Sequence, residues 1–115
     1  MANTFKLVTK ANVTSADVIY TVAASTTTII LGLMLGNTTS ASTTATVSLG
    51  SDTAARAGNN DEANQTVELI TGTTIPGNSS LEIMSGNKIN MEATDTLSVT
   101  EGASTDVILS VMEIT

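Results

Sequence analysis

The sequence predicts an all-β fold, an antiparallel β-sandwich of about eight to nine strands in a single domain spanning residues 1–115. Three observations predict it. Apolar residues recur at every second position along most of the chain, the period of a strand with one buried face. Clusters of Gly, Asn, Asp and Ser interrupt that pattern at short intervals, as turns do in sandwiches and barrels. The chain holds 22 Thr and 12 Ser, and Thr suits the solvent side of a strand because it is β-branched and polar. A length of 115 residues fits one domain.

The elements follow in order. Phe5, Leu7, Thr9, Ala11 and Val13 alternate with Lys6, Val8, Lys10 and Asn12. The first set is expected to face the core and the second to carry both lysines outward. Thr14 to Asp17 reads as a turn. Val18, Tyr20 and Val22 form one face of a second strand, which Ala24-Ser25 breaks. The third strand, Thr26 to Leu35, places Ile29, Leu31, Leu33 and Leu35 on one face and Ile30, Gly32 and Met34 on the other. Apolar groups on both faces suit a central strand.

Asn37 to Ser42 is polar and turn-forming. Ala45, Val47 and Leu49 then alternate with Thr44, Thr46 and Ser48 in a half-exposed strand. A long irregular segment, Gly50 to Gln65, follows, and loops of that length tend to be functional or mobile. Thr66 to Thr71 resumes strand character. Ile75-Pro76-Gly77-Asn78 fits a type II turn, with Pro presetting φ and Gly supplying positive φ. Ser80 to Met84 is a strand, and Ser85-Gly86-Asn87-Lys88 reads as a tight hairpin turn. Ile89 and Met91 follow, then a strand from Thr96 to Thr100. The last strand, Asp106 to Ile114, is apolar on both faces and is expected beside the third. Jelly-roll-like and immunoglobulin-like connectivity both remain open.

The composition excludes several functions. The chain has no Cys, no His and no Trp, with one Phe, one Tyr and one Pro. Structural zinc, haem and iron–sulfur sites lack their usual ligands. Neither a Ser–His nor a Cys–His catalytic pair can be built, and disulfides are impossible. No catalytic residue and no cofactor is expected. A net charge of −7 with two aromatics argues against nucleic acid. Ile29 to Gly36 is continuously apolar but too short for a spanning helix, so no membrane partner is expected. No signal peptide is evident at Met1 to Lys6.

Other motifs have ordinary readings. Asp52, Asn59, Asn60, Asp61 and Glu62 offer oxygen ligands, but their spacing matches no EF-hand. Sequons at Asn12, Asn37, Asn64 and Asn78 are expected by chance in so Thr-rich a chain. Thr26-Thr27-Thr28, Thr44-Ala45-Thr46 and Thr94-Asp95-Thr96 do not recur at a fixed short period, so no ice-binding solenoid is implied. Charge is lopsided: Lys6, Lys10 and Arg56 sit in the first half, whereas nine of the eleven acids follow residue 57. Phe5, Lys6, Lys10 and Arg56 are therefore the candidate docking surface.

The carboxyl-terminal half carries a resemblance. Ile75 to Glu82, then Asn90 to Val99, then Asp106 to Thr115 looks like a group of small virion proteins of tailed bacteriophages, frequent in phages of marine bacteria and cyanobacteria. Val18 to Val22, a Thr-rich turn and Ile29 to Asn37 are similar to the opening hairpin of that group. The group often carries Gly where this chain has Thr94. The resemblance implies a virion structural protein, foremost a capsid decoration (cement) protein. Its expected partners are the major capsid protein or other virion proteins, and further copies of itself in a homo-oligomer. It would be made in the host cytoplasm and reside on the capsid surface. The alternatives are a neck, tail or fibre component, or a receptor- or glycan-binding module.

Overall fold

Strands that alternate apolar and polar residues bury one face only when two sheets close on each other. That is the arrangement seen in the computed structural model, which describes residues 2–51 and 65–115. Among the described residues there are nine strands: β1 (Asn3–Val13), β2 (Asp17–Thr21), β3 (Thr27–Asn37), β4 (Thr43–Ser51), β5 (Gln65–Ile75), β6 (Ser80–Glu82), β7 (Ile89–Met91), β8 (Thr96–Glu101) and β9 (Thr105–Ile114). One sheet runs β1-β9-β3-β6, with β7 also on β3; the other runs β2-β8-β4-β5. Every pairing is antiparallel.

The pairings decide the connectivity. β1 pairs with β9, β2 with β8, β3 with β6 and β7, and β4 with β5. The chain is thus one long ribbon doubled back between β4 and β5. That ribbon rolls so that β9 meets β3 and β8 meets β4. This is a jelly roll. The core lies between the sheets, led by Ile30, Leu33, Leu35, Val47, Leu97, Val99, Val107 and Leu109, each at most 1% exposed.

β3 and β9 are neighbours in the middle of one sheet, as their two-sided apolar pattern predicts. The inward set on β3 differs from the simple alternation. The register slips between Ile30 and Gly32, a bulge that inserts one residue. Ile30 therefore joins Leu33 and Leu35 inside, while Ile29, Gly32 and Met34 lie on the outer face with Met112, Ser110 and Ile108.

β1 departs further from expectation. Lys6 is opposite Val111, Val8 opposite Leu109 and Lys10 opposite Val107, all three partners buried. The lysines thus lie on the inner face, and Phe5, Leu7 and Thr9 lie on the outer one. Phe5 is 71% exposed and Leu7 65%. The reason is that β1 is an edge strand, opposite only the short β2 among the described residues. Lysine stems can lie on apolar surface there while their ammonium groups reach the rim. Val13 does enter the core, because Asn12 adopts a φ of 58° at a break in the register between Lys10 and Val13.

Two turns also shift by one residue. Ser79 N–H donates to the Pro76 carbonyl and positive φ falls on Asn78, not Gly77. Gly77 serves a close approach instead: a Cβ there would lie 2.3 Å from the Ser40 carbonyl oxygen. Positive φ at Ser85 and Gly86 closes a turn from Met84 to Asn87. It joins no hairpin, since β6 and β7 lie end to end along β3.

The face assignment on β1 and β9 is testable by denaturant unfolding. Leu109→Ala is expected to cost about 2–5 kcal/mol, as a buried leucine does. Leu7→Ala is expected to stay within about 0.5 kcal/mol. The reverse order would overturn the assignment.

Candidate interaction surface

The outer face of the β1-β9-β3 sheet brings together side chains from three strands. Phe5 and Leu7 come from β1, Ile108 and Met112 from β9, Ile29 and Met34 from β3. Four of these, Phe5, Leu7, Met34 and Ile108, are large apolar groups more than a third exposed. Gly32 and Gly36 keep the neighbouring surface low, and open depressions flank the Met34–Ile108 pair. Glu82 and Asp106 border them. Scattered exposed apolar residues are ordinary, but several on one sheet face form a patch of the kind used for association. The only Phe of the chain lies on it.

The basic residues named from the sequence do something different. Lys6 Nζ lies 2.8 Å from Glu113 Oε1, and Lys10 Nζ lies 3.3 Å from Asp17 Oδ2. Both charges are thus engaged within the chain. Glu113 also accepts a hydrogen bond from the Tyr20 hydroxyl, which pairs with Thr28 Oγ1 at 2.8 Å. This cluster spans the two sheets at one rim of the sandwich. Burial, then the hydrogen bond to Glu113, pushes the Tyr20 phenol up to about 12. The hydrogen bonds from Lys6 and Tyr20 hold Glu113 below the usual carboxylate range. Of the candidate docking residues, Phe5 alone combines exposure with freedom from an internal polar partner; Arg56 lies outside the described residues. So do the oxygen-rich cluster Asp52 to Glu62, the sequon at Asn64 and most of the segment Gly50 to Gln65.

The remaining motifs take structural roles. Asn37 is 3% exposed. Its amide donates to the Ala41 carbonyl at 2.8 Å and the Ile75 carbonyl at 3.0 Å, while its Oδ1 accepts from Thr39. It ties the turn after β3 to the turn after β5 and cannot carry a glycan in this fold. Thr26 and Thr28 are buried, which removes them from any flat threonine face. Among the described residues no group of three or more His, Cys, Asp or Glu is placed to hold a metal ion. No helix of the described residues is long and apolar enough to cross a membrane.

One group escaped the sequence reading. Glu101 is 4% exposed. Thr105 Oγ1 donates to its Oε2 at 3.2 Å, and its Oε1 has no hydrogen-bond partner among the described residues. Period two from Leu97 and Val99 would have placed it inward; its position beside a Gly-containing turn hid that. Burial pushes its carboxyl up to about 7 from 4.5, against a smaller lowering by Thr105.

No protein-family model matches the chain, and no curated protein matches it. A solved structure from Bacillus endospore appendages, described as a family of disulfide-linked pili, aligns over 99% of this chain and 87% of its own. The identity is 14% and the TM-score 0.48.

Glu101 makes stability depend on pH. Between about 4.5 and 7 the folded state holds its proton and the unfolded state has released it. Stability therefore falls as pH rises through that window. Glu113 acts in the opposite sense, losing its contribution as pH falls into the acid range. Glu101→Gln stays neutral at every pH. Urea midpoints from pH 4.5 to 7.5 should decline less in this variant than in the parent. An unchanged slope would show that Glu101 titrates normally.

Proposed function

We propose that this chain is a structural protein of a tailed-phage virion, a capsid decoration protein whose adhesive surface is the outer face of the β1-β9-β3 sheet. The observation that carries the reading is that patch. Phe5, Leu7, Met34 and Ile108 stand exposed side by side on a regular sheet. The likeness of Ile75 to Glu82, Asn90 to Val99 and Asp106 to Thr115 to small phage virion proteins supports the same reading. Jelly rolls serve as both capsid and lectin domains, so the fold by itself does not choose between them.

The mechanism is adhesion by burial. A large apolar side chain that is mostly in water when free gains about 1.5–3 kcal/mol when fully covered. A subunit whose contact surface is complete only on an assembled lattice stabilises that lattice by mass action, because it binds the assembled form alone. The excess of acids, −7 overall, keeps the free protein soluble. The lysines of β1 already pair with Glu113 and Asp17 within the chain, so this reading assigns the adhesion to the apolar groups.

The test is the copy number in purified particles, with binding of the isolated protein to undecorated shells. A copy number comparable with that of the major capsid protein supports decoration. A handful of copies per particle overturns it in favour of a neck, tail or fibre site. Phe5→Ser with Leu7→Ser should weaken shell binding by at least about tenfold, as loss of an interface anchor does. Its thermal midpoint should stay close to the parent's. Lys6→Glu with Lys10→Glu should instead lower stability, because it places like charges beside Glu113 and Asp17.

A further inference from the structure

We infer that β1 is a self-pairing edge, through which two copies of this chain join their Phe5-bearing sheets about a two-fold axis at Leu7. Sheet edges offer unpaired N–H and C=O groups, and proteins ordinarily blunt them with short strands, bulges or charges. Three of the edges here are blunted. β6 and β7 have three residues each. β2 has five and breaks register between Val18 and Tyr20. β5 is long but twice irregular against β4, with Gly72 at a φ of 56°. β1 differs. It has eleven residues, and its register with β9 is unbroken from Asn3 to Lys10.

The hydrogen-bond phase of β1 is fixed. Ala2 and Thr115 exchange both backbone bonds, at 3.2 and 3.0 Å. In an antiparallel ladder such pairs alternate along the strand. Thr4, Lys6, Val8 and Lys10 thus bond to β9, and Asn3, Phe5, Leu7 and Thr9 turn their N–H and C=O to the edge, which is open among the described residues. A second strand docking there must match these odd-numbered residues.

A second copy of β1 does so antiparallel. With Leu7 opposite the partner's Leu7, Phe5 meets the partner's Thr9, and the ladder extends from Asn3 to Ala11. On the inner side Lys6 then stands opposite the partner's Val8, and Lys10 opposite the partner's Thr4. Sliding by one step in either direction puts Lys6 opposite the partner's Lys6 or the partner's Lys10. Like charges directly opposite are destabilising. Larger slides shorten the ladder. One long register therefore remains, and it is isologous, which closes at two copies and builds no fibre. An inward-pointing lysine usually protects an edge, because pairing would crowd its charge. In the Leu7-centred register each lysine faces an uncharged residue of the partner and keeps its own carboxylate, Glu113 or Asp17, so the lysines do not block that one pairing. The pair merges two apolar faces into one, with Phe5 diagonal to the partner's Leu7.

Light scattering on the full chain across a concentration series should give a dimer that dissociates on dilution. Thr9→Pro deletes an N–H that points to the open edge and none that bonds to β9, a placement edge strands tolerate. It should raise the dimer dissociation constant at least about tenfold, whereas Thr9→Ala should not, since the backbone bond is what is lost. The chain has no Cys, so Leu7→Cys introduces a unique thiol. Hydrogen-bonded antiparallel pairs hold their Cα atoms about 5.5 Å apart, within disulfide reach. Leu7→Cys should form a disulfide dimer under mild oxidation, and Val67→Cys on the β5 edge should not. If Thr9→Pro unfolds the protein, the cross-linking result still decides. A monomer at every concentration, or a dimer that Leu7→Cys does not link, overturns the inference. A monomer that still coats shells would overturn it and leave the decoration reading intact. A dimer that binds no shell would do the reverse.

Discussion

The structure depends on the register of β9 between β1 and β3. Thr105, Val107, Leu109 and Val111 point inward, and each cross-strand partner must share their face. This one phase sets Ile30, Leu33 and Leu35 inside on β3. It also turns Phe5 and Leu7 outward on β1. The apolar patch on the outer face is a consequence of the same phase. Strands with apolar residues on both sides can hide only one side within a single subunit. The other side stays exposed, as Phe5, Leu7, Met34 and Ile108 do.

Polar groups close the rims of the sandwich, and each is satisfied in its own way. The cluster of Lys6, Glu113, Tyr20 and Thr28 joins the two sheets with complementary charge and hydrogen bonds. Asn37 bonds the turn after β3 to the end of β5. Glu101 is the exception, a buried carboxyl whose Oε1 has no hydrogen-bond partner among the described residues. Burial of an unpaired charge is costly enough that the group holds its proton instead. A core built without Trp and with its Phe outside has to rely on aliphatic packing, so such rim contacts matter to which single arrangement is adopted.

The positions of the strands were legible because period two and turn residues are local signals. Each expected strand is present, and the junction Ile75 to Asn78 is a turn, although positive φ moved from Gly77 to Asn78. The errors of face share a form. The bulge at Leu31 and the positive φ at Asn12 each shift the alternation by one residue, and a register break on β2 leaves Val18 exposed and Ile19 buried against the expected Val18, Tyr20 and Val22 face. A shift of one moves every later side chain to the opposite face. Gly32 adjoins the break on β3, whereas no Gly or Pro stands at Ile19 or Asn12. On β1 the apolar set Phe5 and Leu7 looked like a core face. It is exposed because the strand lies at an edge, and edge position is a property of the whole sheet.

The sequence by itself determined that this chain is all-β, where its turns fall to within a residue, and that it has no thiol, imidazole or indole side chain, because these follow from residue types and local spacing. Tertiary structure alone decided the jelly-roll order, the inward side of β1 and β3, the engagement of Lys6 and Lys10, and the burial of Glu101. Those depend on which strand lies beside which. That pairing is set by contacts between residues as far apart as Phe5 and Met112, and no local period encodes them.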